Sequence, residues 1–247
     1  MLKILCAIQS RLDSSRLPRK AMLPLGERAM YFQVYHRIHD EIWFQDDTDA
    51  LLPSIHIDTK MVVPSDDLAE YVADSKQYTN NMKFYGGSRE NVYDRFVHAS
   101  VDYDWIVRIT ADCPLVCPDV IQEMVVEFAA LREEGVDYYS NDTVVSGYPD
   151  GLDVEIFTRD ALLRYPPENP ADEEHVTLAI KRHSILRTKF EDNARRVWPQ
   201  GVKLSVDTKD EYELVKKFFE SPDGPPLTVP ALYDSVRRAS YEYGEEQ

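Results

Sequence analysis

The sequence predicts an α/β fold, a mostly parallel sheet flanked by helices with a small inserted lobe. Three observations carry that prediction. Short apolar runs of strand length alternate with segments whose apolar residues recur at helical spacing. The rhythm loosens between about 137 and 200 and then resumes, as an insertion would make it do. With 43% hydrophobic residues in 247, the chain has material for a sizeable core. The expected organisation is one domain over 1–247 with an insertion or dimerisation lobe at about 140–200.

The elements follow in order. LKILCAI is short and apolar and runs into a Ser/Asp/Arg stretch, so it reads as a buried strand that delivers a polar loop. AMYFQVYHRIHDEI is helical in pattern, TKMVVP is strand-like, and SDDLAEYVA opens on a serine N-cap followed by helix formers. MKFYGG reads as a strand, and residues 91–103 set Val92, Phe96 and Ala99 at helical spacing. DWIVRIT is a strand, and residues 118–131 align Ile121, Val125 and Phe128 on one helix face. After the loosely patterned YYSNDTVVSGYPDGLDVEIF and a proline-bearing connection, ADEEHVTLAIKRHS reads as a helix. VKLSVD is expected as a strand and TKDEYELVKKFFE as a helix started by an Asp or Thr cap. SPDGPPLTVP is turn-rich, and the final YGEEQ is expected to fray.

Composition excludes some functions. With 44 acidic against 28 basic residues, a net charge of -16, the chain's field repels nucleic acid, so no nucleic-acid partner is expected. No 18 apolar residues follow one another, and the N-terminus carries one short apolar run without a cleavage site, so a cytoplasmic protein without membrane insertion is expected. Three cysteines make no disulfide framework. Cys113 and Cys117 in CPLVC invite a metal reading, but no second Cys/His cluster completes a tetrahedral site, and buried thiols are favoured.

In an open parallel sheet, ligands bind beyond the carboxyl ends of the strands. Three strand ends stand out here: QSRLDSSRLPRK after the first, ADCPL with Asp112 after DWIVRIT, and DTKDE with Asp207 after VKLSV. The first loop packs Arg11, Arg16, Arg19 and Lys20 into ten residues of an acidic chain. A cationic loop facing two carboxylates is what metal-assisted phosphoryl or nucleotidyl transfer requires: Mg²⁺ takes one or two carboxylates plus phosphate oxygens, and Arg and Lys neutralise the leaving pyrophosphate. Each piece has a competing structural reading. Asp112 and Asp207 both precede helical patterns and suit N-caps, and the cationic run suits a solvated loop.

The ordered set IQSRLDSSRLPRK, GGSRENVYDRF, VRITADCPL, YPDGLDVEIF, EEHVT and LSVDTKDE resembles the cytidylyltransferase family of CMP-sugar synthetases, nearest to the spore coat polysaccharide biosynthesis group. The resemblance runs from about residue 3 to about residue 220. It implies a Rossmann-like nucleotidyltransferase fold and a homodimer that uses Mg²⁺ to join CTP to a sugar-like acceptor, acidic or from a surface polysaccharide, with release of pyrophosphate. It further implies that Arg11, Ser15, Arg16 and Lys20 hold the triphosphate, that Gly86, Ser88 and Arg95 build part of the nucleotide site, and that Asp112 and Asp207 bind the metal. Tyr148, Asp150, Gly151, Asp153, Glu155 and His175 fall in segments lining the acceptor side and the dimer contact. Gly151 also suits a plain turn in PDG, and His175 a packing or capping role. Two departures stand out. The family's first loop has glycine where this chain has Asp13 and Arg19. If either position needs φ > 0, Asp tolerates it better than Arg, while Asp13 sets a negative charge beside the triphosphate. These leave two alternatives: a nucleotide-binding scaffold without catalysis, or a transferase using another base or a phosphate or phosphonate acceptor.

Overall fold

A computed structural model describes residues 1–42, 54–141, 146–190, 196–199 and 201–244. β1 (Leu2–Gln9) leads through a short 3-10 turn (Lys20–Met22) and the hairpin β2 (Pro24–Leu25) and β3 (Arg28–Ala29) into α1 (Met30–His39). The alternation continues with β4 (Ile55–Pro64), α2 (Ser65–Ser75), β5 (Lys83–Gly87), α3 (Val92–Ala99), β6 (Trp105–Thr110) and α4 (Pro118–Glu133). The inserted lobe contributes β7 (Tyr138–Ser140), β8 (Glu155–Thr158), α5 (Arg159–Arg164), α6 (Pro170–Glu174), α7 (Leu178–His183) and β9 (Leu186–Thr188), and α8 (Lys209–Glu220) and α9 (Val229–Gly244) close the chain.

The main sheet runs β5-β4-β1-β6-β8-β7-β9, parallel through β5, β4, β1 and β6, with β8 antiparallel to both its neighbours. Both faces are covered, because β1 is apolar on both. Ile4, Cys6 and Ile8 pack in the larger core with residues of α1, α4, α8 and α9, while Leu5 and Ala7 pack in a second core with α3, α5 and α7. That is why β1 reads as a continuous apolar run rather than an alternating one. Register then sets the site: Gln9, the last residue of β1, lies opposite Val62 on one side and Thr110 on the other, so the loops after β1 and β6 emerge side by side. No helix among the described residues is long and apolar enough to cross a membrane.

Four expectations need correction. The helix expected over 171–184 is two, α6 and α7, broken where Val176 takes φ +43, a conformation β-branched residues rarely hold. VKLSVD is not a strand: Lys203 makes a lone bridge to Asp150, and the segment is held by Leu204 N–H donating to the Asp150 carbonyl (2.7 Å) and Val206 N–H to the Asp112 carbonyl (2.8 Å). Ser65 does not cap α2 but is its first residue, with Pro64 at the cap position. α9 continues through Tyr243 and Gly244, which were expected to fray; residues 245–247 lie outside the described residues.

Candidate active site

The loop after β1 is shaped by its backbone. Arg19, one of the two loop positions where the resemblance leads to an expectation of glycine, adopts φ 58, so the residue sits in left-handed backbone at roughly 1–2 kcal/mol of strain. Its guanidinium pairs outward with Glu70 of α2. The strained turn is followed directly by Lys20, which opens the 3-10 turn. Asp13 takes no positive φ; its carboxylate pairs with Arg89 (3.0 Å), and Arg11 lies 3.6 Å away. Asp13 is therefore partly neutralised by cations from its own loop and from the β5–α3 turn.

Lys20 is the centre of the arrangement. Its ammonium donates to Asp112 Oδ2 (2.7 Å), Asp207 Oδ1 (2.8 Å) and the Val206 carbonyl (2.8 Å). Burial works against its charge, but the two carboxylates more than offset this, and its pKa is raised. Arg16 reaches the same Asp207 oxygen at 2.8 Å, and Lys203 holds the other at 2.9 Å while also pairing with Glu211 (2.8 Å). Burial would raise the Asp207 carboxyl, but its hydrogen bonds to Lys20 and Lys203 hold it down to about 2. Neither aspartate is a helix cap: α4 is capped at Cys117, and α8 at Thr208 through a reciprocal capping box with Glu211. The competing structural reading of Asp112 and Asp207 is thereby answered by geometry.

Two cavities meet at these carboxylates. One, of about 240 Å³, is walled by Arg11, Ser15, Arg16, Lys20, Arg95 and Arg108 together with Asp112, Glu174, His175 and Asp207. Its most unusual wall residue is Arg95 of α3. It is 1% exposed; its Nη1 makes one long bond to the Val62 carbonyl (3.4 Å), and its Nε has no hydrogen-bond partner. Burial, then repulsion from Arg11 and Arg89, lowers its pKa to about 10, leaving it charged at neutral pH. A buried, under-partnered guanidinium is costly unless an anion meets it. Gly87 makes room for it, since a Cβ there would lie 2.7 Å from Arg95 Cγ. Gly86 and Ser88 are not on the cavity wall. Gly86 packs β5 against Leu68, and the Ser88 hydroxyl accepts from Asn91 N–H (3.0 Å) in the turn that starts α3.

The second cavity, about 400 Å³, shares Arg108, Thr110, Asp112 and Asp207 with the first and adds Asp150, Asp153, Glu155 and Lys181. Glu155 is a buried hub. It pairs with Arg108, lies 3.1 Å from Lys181, and accepts from Tyr138 OH (2.6 Å) and Thr177 Oγ1 (2.8 Å). Burial alone would raise its pKa, yet these partners hold it down to about 2. Asp153, two residues earlier, is the opposite case: burial pushes it up to about 6, its Oδ2 accepts from Gly151 N–H (2.9 Å), and no ion pair to it is found among the described residues. Gly151 has φ +104, and its Cβ would press on the backbone of Leu204 and Ser205, so it serves close approach as well as a turn. Tyr148 is buried in the main core, away from both walls.

The oxygens around Lys20 suit a divalent cation. Two carboxylates and a carbonyl converge on one point already held by an ammonium, a hard-oxygen set that phosphate oxygens would complete. Among the described residues no group of three or more His, Cys, Asp or Glu side chains is placed to hold a metal ion, so substrate oxygens would be needed. All three cysteines are free and buried.

Comparison with known proteins shows the family. The family profile described as cytidylyltransferase matches residues 5–223, most of the chain. The chain belongs to the cytidylyltransferase family. It is accordingly a nucleotidyltransferase. It is 30% identical over 223 residues to the spore coat polysaccharide biosynthesis protein SpsF of Bacillus subtilis, covering 88% of this chain and 86% of that one. A cytidylyltransferase structure from Leptospira borgpetersenii superposes with TM-score 0.77 at 20% identity, covering 98% and 96% of the two chains. The CTP complex of CMP:2-keto-3-deoxy-manno-octonic acid synthetase shares the fold at TM-score 0.56 and 16% identity over 89% of this chain and 99% of that one.

Arg108, Lys181, Lys203 and Arg89 escaped sequence reasoning. Arg108 had a signal: it is the one charged residue inside the apolar strand WIVRIT. In the structure it spans both cavities, donating to Gln9 Oε1 at 3.0 Å and to Glu155. Lys203 had a similar one, as a cation within VKLSV.

Proposed function

We propose that this cytidylyltransferase joins CTP to a hydroxyl of a sugar-like acceptor, releasing pyrophosphate and a CMP-sugar, with Mg²⁺ as the metal. The observation that carries this reading is Arg95, a buried cation short of partners on the wall of a cavity that also carries Arg11, Arg16 and Lys20. Triphosphate oxygens would supply what Arg95 lacks. Ser15 adds a hydroxyl donor, and Arg16 and Lys20 reach the point where the two cavities join. When bound by Asp112 and Asp207, the metal supplies charge neutralisation on the triphosphate. The acceptor occupies the larger cavity beside Asp150, Asp153 and Glu155. Its hydroxyl oxygen attacks the α-phosphorus, the bond to the β-phosphate oxygen breaks, and pyrophosphate departs against the arginines. Asp153 changes protonation near neutral pH and stands on the acceptor wall, which suits it to take the hydroxyl proton. Glu155 orients Arg108 and Lys181. His175 borders the nucleotide cavity at the strained break before α7.

A homodimer is part of this proposal. Among the described residues β9 ends the sheet, and Ile185, Leu186 and Phe190 beside it are exposed, an apolar edge of the kind a second copy would cover. The reaction is tested by incubating the protein with CTP, Mg²⁺ and pooled sugars, with detection of pyrophosphate and of CMP conjugates by mass spectrometry. Asp112→Ala and Asp207→Ala should each abolish conjugate formation while leaving the folded state intact. Full activity in either variant would remove that residue from the metal site.

A further inference from the structure

We infer that Lys20 is a resident counter-ion which keeps the metal site closed until a triphosphate arrives, so that nucleotide and divalent metal bind with strong positive coupling. This rests on the metal assignment proposed above and adds an order of events to it.

Its ammonium lies 2.7 Å from Asp112, 2.8 Å from Asp207 and 2.8 Å from the Val206 carbonyl, which is the one point where all three oxygens could ligate a cation together. Two cations cannot share it. A divalent ion entering alone must expel Lys20 from two charge-assisted hydrogen bonds in a site where the lysine side chain is only 13% exposed. Among the described residues, the carboxylates on the nucleotide wall are those two aspartates and Glu174, and Glu174 already lies 3.8 Å from Arg11, so the released ammonium gains no new anion there.

A triphosphate changes the balance. Lys20 lines the nucleotide cavity, so phosphate oxygens offer it an equivalent partner a short rotation away. Its departure frees Asp112 Oδ2 and removes one of the two cations on Asp207 Oδ1; the other, Arg16, lines the same cavity and can turn to the phosphates with it, while Lys203 keeps Asp207 fixed through Oδ2. Each ligand therefore removes an obstacle to the other, and by linkage the coupling is reciprocal. The free protein gains from this a metal site that stays shut against stray divalent ions.

The test is Mn²⁺ binding to the full chain, followed by electron paramagnetic resonance without nucleotide, in wild type, Lys20→Met and Lys20→Gln. Mn²⁺ prefers the same oxygen ligands as Mg²⁺ and is visible. Both variants should bind Mn²⁺ at least tenfold more tightly than wild type, and adding Asp112→Asn to either should abolish the gain. In wild type a non-hydrolysable CTP analogue should raise Mn²⁺ affinity at least tenfold beyond that of the analogue alone. Equal or weaker Mn²⁺ binding in both lysine variants overturns the inference, as does tight binding by nucleotide-free wild type. Failure of every form to bind Mn²⁺, even with the analogue, would instead sink the metal assignment itself and the inference with it.

Discussion

Gly151→Ala is the sharpest structural perturbation available to this site, because it acts through backbone alone. The residue holds φ +104, where an L side chain is strained by about 1–3 kcal/mol. The added Cβ would stand 2.9 Å from Leu204 Cβ and closer still to the Leu204 carbonyl carbon and the Ser205 nitrogen, an overpacking of about 1–3 kcal/mol. A loss of about 2–6 kcal/mol is expected, a large part of a typical folding free energy. Relief of the contact displaces segment 203–206 from Asp150, and Asp207 follows at its end, so the pairing of Asp207 with Lys20 and Arg16 loosens. A displacement of about 1 Å in such a group can reduce turnover about 100-fold. Thermal melts and pyrophosphate release measure the two effects. Gly224→Ala is the control, since its φ of +70 carries backbone strain but open space surrounds it. A Gly151→Ala protein that melts and turns over like wild type would refute the claim that this contact positions Asp207.

Three further outcomes follow from the charges and the backbone. Glu155→Gln leaves Arg108 and Lys181 without their anion and should destabilise by about 3–5 kcal/mol. Because the folded pKa of Glu155 is depressed to about 2, the stability it contributes is present above about 4.5 and lost as pH falls toward 2; acid titration of the melt should show that slope in wild type and not in the variant. Wild-type turnover is expected to fall below about pH 6, and Asp153→Asn should lower turnover at least tenfold and remove that fall; an unchanged pH profile would exclude it as the proton acceptor. Since the folded pKa of Asp153 is raised, wild type also loses stability as pH rises from about 4 through 6, and the asparagine protein should escape that loss. At position 19, Arg19→Gly should match or slightly exceed wild type in stability, whereas Arg19→Val should cost about 1–2 kcal/mol more than the glycine form; denaturant midpoints decide the order.

The legible and illegible parts of this protein differ in physical origin. β1, β6 and α4 were readable because burial on two faces or one stripe writes itself as an apolar run or a 3.6 period. Asp112 and Asp207 were readable as candidates because each directly follows a predicted strand, and Lys20 because it closes the cationic loop that follows the first one; ligands gather at strand ends. Their convergence on one ammonium was not, since it depends on Val206 hanging from Asp112 by a backbone bond between residues 94 positions apart. VKLSVD fails as a strand for the same reason: the N–H groups of Leu204 and Ser205 both go to the Asp150 carbonyl and that of Val206 to Asp112, rather than to a ladder. The break at Val176 contradicts local propensity outright, as strained positions do when tertiary packing dictates the backbone. Arg19 was flagged as a departure from glycine, and the backbone keeps the left-handed turn regardless.

The central claim is that a cation-walled cavity built around Arg95 and Lys20 binds the triphosphate of CTP with its metal. Calorimetric titration of the protein with CTP, UTP, ATP and GTP, each with and without Mg²⁺, tests it most directly. Selective CTP binding, strengthened by Mg²⁺ and weakened at least tenfold in Arg95→Met, is the predicted result. Binding of no triphosphate under any of these conditions, or equal binding of CTP by Arg95→Met, would contradict it.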